Sequence, residues 1–173
     1  MQPDISTLPL LELEAYPDTT LVVVDMQTRS KAANDSATIA KVEALIQLAI
    51  KKRWAIVFLE INNEFEDYGP TLPQLLAVVE NYPRTTQLVK PEKDGSHLIA
   101  KVCKTASFDT ARFILCGVNL DACVVFTANG LAREYPASNI DVAVQACNSE
   151  NPFMWDTWAA FVAHSQIRLV STG

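Results

Sequence analysis

Three side chains that can activate one another follow hydrophobic runs in this chain: Asp25 in VVVDMQ, Lys90 at the end of TTQLVK, and Cys123 after FILCGV and a short turn. A carboxylate behind four apolar residues is partly desolvated, which favours its protonated form. Such perturbed carboxylates gather in functional clefts, although a helix cap or a lysine-paired charge would also fit. An ammonium from Lys90, or from Lys93 three residues on, would hold Asp25 ionised and lower the pKa of a nearby thiol. Cys123 is expected in the first turn of a helix, where free N–H groups favour a thiolate and can receive an oxyanion. The competing reading of a cysteine, a small buried hydrophobe, suits Cys116 inside its apolar run and Cys147 better. His97 and His164 stand away from these positions, so an aspartate is the more economical base for the thiol.

The elements that must position these residues alternate along the chain. Apolar, β-branched runs predict strands over 20–26, 54–61, 85–90, 111–118, 139–147 and 167–172. Helical spacing predicts helices over 35–51, 72–82, 96–104, 120–134 and 152–164. Strict strand–helix alternation predicts an α/β three-layer sandwich: a six-stranded, mainly parallel Rossmann-like sheet with helices on both faces. Ligands of such sheets bind beyond the carboxyl ends of the strands, where strand order reverses. That is where Asp25, Lys90 and Cys123 fall, provided the first and fourth strands are neighbours.

The 173 residues predict one domain over 1–173, with 1–18 as an N-terminal arm. Nearly half of them are apolar, enough for a large core. A net charge of −6 without a basic stripe argues against nucleic acid. The one basic cluster, Lys51-Lys52-Arg53, ends a predicted helix and complements its dipole. The first residues lack the basic start of a secretory signal, and no run reaches the roughly 18 apolar residues of a membrane helix. A cytoplasmic protein is expected, with its four cysteines as free thiols. Five glycines form neither a GxGxxG nor a Walker loop, which disfavours dinucleotide or ATP chemistry.

Taken together, VVVDMQ, Lys90 and GVNLDACVVFTANGLA resemble the isochorismatase-like cysteine hydrolases, over about residues 20 to 170. The resemblance implies a hydrolase with Asp25 as base, Cys123 as nucleophile and Lys90 as electrostatic partner. It also implies a non-proline cis peptide between Val118 and Asn119, which would aim the Asn119 N–H, beside that of Cys123, at an oxyanion. Gln27 and Glu60 are the candidate residues of the substrate pocket. Nicotinamidases of this family carry an Asp-x-His metal motif after the second strand. Glu60-Ile61-Asn62 stands there instead, so no metal and no cofactor is expected. A cysteine nucleophile points to a small amide or ureido substrate rather than a vinyl ether. A non-catalytic binding or assembly protein, or a redox-active thiol protein, are the alternatives. A homo-oligomer is expected from the resemblance and from the aromatic-rich segment PFMWDTWAAF.

Overall fold

The computed structural model describes residues 5–11, 16–151 and 164–173. The helix expected over 152–164, except its last residue, lies outside the described residues, as do the aromatic-rich segment and part of the N-terminal arm. Six strands form one sheet: Thr19–Val24 (β1), Ala55–Ile61 (β2), Thr85–Lys90 (β3), Arg112–Val118 (β4), Asn139–Asn148 (β5) and Ile167–Val170 (β6). Every pairing is parallel, in the order β3-β2-β1-β4-β5-β6. The expected α/β sheet is therefore present, with the first and fourth strands adjacent.

Side chains of a strand alternate between its two faces, so a strand covered on both sides must be apolar throughout. In β1, Leu21 and Val23 join one core with Val42, Ile46 and Leu75, while Val22 and Val24 join another with Ile99, Val125 and Ala128. The first set belongs to Ser36–Lys52 (α1) and Pro73–Val78 (α2); the second lies on Ser96–Ala106 (α3) and Val125–Glu134 (α4).

The helix ends follow local chemistry. Asp35 caps α1, its carboxylate accepting from Thr38 N at 2.9 Å and from Thr38 Oγ1 at 2.7 Å. Arg53 closes α1 in the left-handed region at φ 59°, just beyond Lys51 and Lys52. The second helix is shorter than the expected 72–82. From Val79 the N–H groups bond three residues back, Val79 N to Leu76 O and Tyr82 N to Val79 O, and Pro83 follows. The fourth helix opens with a π turn, Leu120–Val124, before α4 begins.

Gly117 controls how closely β4 meets β1. It pairs with Val24, and its φ of 110° lies in a region that favours glycine. A Cβ at this position would run into the backbone of Val24 itself, which cannot yield as a side-chain tip can. Gly117→Ala is expected to destabilise the protein by at least about 2 kcal/mol. The measurement is a lower urea midpoint at unchanged slope.

Candidate active site

Strand order reverses at β1, which has β2 on one side and β4 on the other. The crevice beyond their carboxyl ends is the binding position of an open parallel sheet. Asp25 ends the β1 ladder, donating its N–H to Leu59 O of β2 at 3.0 Å. Its φ of 50° puts it in the left-handed region, which aspartate tolerates better than most side chains. The backbone kinks there, and Gln27 N bonds back to Asp25 O at 2.8 Å.

Lys90 is the last residue of β3, fully buried and in register with Ile61 of β2. Its Nζ donates to Asp25 Oδ2 at 3.0 Å and to Glu92 O at 3.1 Å. The apolar stem passes Gly95, where a Cβ would press on Leu59 and on Lys90 Cδ. Lys93, the other candidate, lies instead over the ring of Phe126, 5.7 Å from its centroid.

Cys123 sits in the π turn after β4, buried against the core. The Val118–Asn119 peptide is cis. Asn119 O accepts from Ala122 N and Val124 N, both at 3.1 Å, and so organises the turn that carries the thiol. Asn119 Oδ1 accepts from Glu150 N at 2.8 Å, and Ser149 Oγ donates to Asp121 at 2.9 Å. These bonds tie the chain beyond β5 to the same turn.

The electrostatics differ from expectation. A helix start and a lysine were expected to favour the thiolate, yet the Cys123 thiol is pushed up to about 12. Burial is the largest cause, the Asp25 charge adds to it, and Lys90 only partly compensates. Asp25 is also raised, by burial first, against the opposing effects of Lys90 and the thiol. The resting thiol is therefore neutral, beside a carboxylate whose buried Oδ1 has no hydrogen-bond partner among the described residues. The other three cysteines are free and raised too, Cys103 to about 11 and Cys147 to about 12. Cys123 is set apart by its neighbours, since it alone has both a carboxylate and an ammonium acting on it.

The cleft over the thiol is walled by Ser30, Ile61, Glu66, Tyr68, Val118 and Asn119. Sequence reasoning missed Ser30, Glu66 and Tyr68. They stand between the strand expected over 54–61 and the helix expected over 72–82, or just after β1, and loops beyond a parallel strand's carboxyl end are where such residues belong. Conversely, the polar groups of Gln27 and Glu60 bond to neighbouring backbone and side chains. Gln27 donates to Ile61 O and Gly69 O, at 3.1 and 2.7 Å, and accepts from Ile61 N at 2.9 Å. Glu60 accepts from both Thr71 N and Thr71 Oγ1 at 2.8 Å. Both clamp the 62–71 loop onto β2 and are not among the residues that wall the cleft. Among the described residues, no group of three or more His, Cys, Asp or Glu side chains is placed to hold a metal ion.

No family model and no curated protein sequence matches the chain. Solved structures do. The MAR1 ribonuclease of Caenorhabditis elegans is 21% identical with a TM-score of 0.70, covering 90% of this chain and 77% of its own. The YcaC gene product of Escherichia coli, described as an octameric hydrolase of unknown specificity, is 19% identical with a TM-score of 0.70, over 89% of this chain and 75% of its own. A nicotinamidase of Staphylococcus aureus is 20% identical with a TM-score of 0.66, over 89% of this chain and 99% of its own. Likeness at these identities is a likeness of architecture, and the chain shares the α/β fold of these structures.

Proposed function

We propose that the protein is a cysteine hydrolase that cleaves the C–N bond of a small amide or ureido substrate through a thioester. The observation that carries this reading is the buried grouping of Asp25, Lys90 and Cys123 at the reversal of strand order. A nicotinamidase on the same fold supports amide chemistry, although a ribonuclease shares the fold and architecture alone does not decide the reaction.

The raised thiol defines what the base must do. With Cys123 at about 12, unassisted ionisation at neutral pH would cost on the order of 7 kcal/mol. Asp25 therefore takes the proton as Sγ bonds to the substrate carbonyl carbon. This transfer moves the negative charge from the carboxylate through sulfur onto the carbonyl oxygen, and Lys90 acts on both Asp25 and Cys123. The oxyanion rests on the N–H groups of Asn119 and Cys123. The C–N bond breaks as Asp25 returns the proton to the leaving amine. Water, deprotonated by Asp25, then attacks the thioester and releases the acid and the thiol.

We extend the proposal to a cytoplasmic homo-oligomer. Four unpaired thiols suit a reducing compartment, and a hydrolase of the same fold is described as octameric. Phe65, 87% exposed, and Val89, 57% exposed on the edge strand β3, supply apolar surface for contact between copies. Light scattering at micromolar concentration should give a multiple of the chain mass; a monomer mass would reject this.

Because Asp25 must be ionised and burial raises it, activity should fall as pH drops through a value above the usual carboxylate range. Asp25→Asn should remove that acid limb and lower turnover about 10²–10⁴-fold, with the fold intact by circular dichroism. Lys90→Met should slow Cys123 alkylation at pH 9, because the ammonium lowers the thiol, whereas Lys93→Ala should leave the rate unchanged. Mass spectrometry of the alkylated protein reads both. Full activity in Cys123→Ala on a verified amide would end the thioester reading.

A further inference from the structure

The cleft over Cys123 carries a carboxylate that this chemistry does not use. Glu66 lines it together with Asp25 and Cys123. The backbone of Glu66 is fixed by Asn63: Asn63 Oδ1 accepts from Glu66 N at 2.8 Å, and Asn63 N donates to Glu66 O at 2.9 Å. Its side chain makes no ion pair among the described residues.

The nearby cations are already engaged. Arg29 pairs with Asp67 at 2.9 Å, on the loop that holds Glu66. Lys90 is spent on Asp25, and Lys93 lies over Phe126. Burial first, and then the negative charges of Glu66, Glu150 and Asp25, push the phenol of Tyr68, the aromatic wall of the cleft, above its ordinary range. Asp25, whose buried Oδ1 has no hydrogen-bond partner among the described residues, is in the same lining. A nucleophile's cleft with one matched ion pair and the further, unpaired carboxylate of Glu66 in its lining is short of a positive charge, and a substrate can bring one. The ring face of Tyr68 is likewise a surface that favours a cation.

We propose that the substrate is a small amide bearing a monocationic group, an alkylammonium or guanidinium, which Glu66 holds while Cys123 meets the amide carbon. This rests on the thiol-hydrolase reading for the reaction but not for the binding.

A charge series of similar length tests it: 4-aminobutanamide as cation, butanamide as neutral and succinamate as anion. Ammonia release should give a kcat/KM for the cation at least about tenfold above the neutral amide, the factor that about 1.4 kcal/mol of pairing supplies. Glu66→Gln should shrink that ratio toward one, and Glu66→Lys should turn the preference to succinamate. Glu64→Gln, an exposed carboxylate on the same loop, should leave the ratio as it is. The same ligands titrated by NMR into Cys123→Ala separate binding from chemistry. There the cation should bind about tenfold tighter than the neutral amide, and adding Glu66→Gln should abolish the difference. Equal binding of all three ligands, or a ratio that survives Glu66→Gln, overturns the proposal. Selective binding without hydrolysis by the unaltered protein supports it and overturns the thioester reading instead.

Discussion

A lysine ammonium and an aspartate carboxylate held 3.0 Å apart, almost out of reach of water, set the terms for the whole carboxyl-terminal edge of the sheet. Burying each ion costs several kcal/mol, which only good geometry and further hydrogen bonds recover. Lys90 meets that requirement with its second bond to Glu92 O, and the stem is packed between Leu59 and Gly95. The pair also spans the sheet. β3 and β1 are separated by β2, so their axes lie roughly 10 Å apart, twice the strand spacing. The four-carbon stem of Lys90, the 3.0 Å bond and the Asp25 side chain cross that gap together; a shorter basic side chain on the same strand would fall short. The parallel register of three strands is thus what allows one carboxylate to sit between an ammonium and a thiol.

The thiol's place depends on the other side of β1. Gly117 lets β4 approach Val24 closely, and the π turn that follows the strand carries Cys123. The cleft is then finished by the 62–71 loop, which Gln27 and Glu60 hold through backbone and threonine contacts. The groups proposed to do the chemistry come from strand ends and the turn beside them, where the sheet makes them rigid, while Glu66 and Tyr68 of the cleft wall come from a loop. That division lets the same chemistry serve different ligands by changing the loop alone.

Much of this was legible in the chain. The strands announce themselves because a doubly covered parallel strand must be apolar on both faces, as TLVVV is. Asp25 and Cys123 stand out because each follows such a run. Other features were hidden for physical reasons. Whether Lys90 or Lys93 reaches Asp25 depends on where β3 ends, and a shift of one residue reverses the side chain's direction. The thiol's high pKa reflects burial, which is a tertiary property; local sequence signals only the opposing effect of a helix start. Gln27 looked like pocket lining from its place beside Asp25, but its amide fits the gap between β2 and the loop. Glu66 and Tyr68 gave no periodic signal at all, since loop residues are positioned by bonds such as those of Asn63.

Lys90 stands on the outermost strand of the sheet. Thr85–Val89 are all at least partly solvent-exposed, and only the lysine at the end is buried. Edge strands are among the first parts of a sheet to open locally. When β3 detaches, the ammonium regains its hydration and water reaches Asp25, relieving the burial that raises its carboxyl. Fraying of this edge therefore breaks the charge pairing beneath the cleft, and the hydrogen exchange of β3 amides reports how often an ion pair two strands away comes apart.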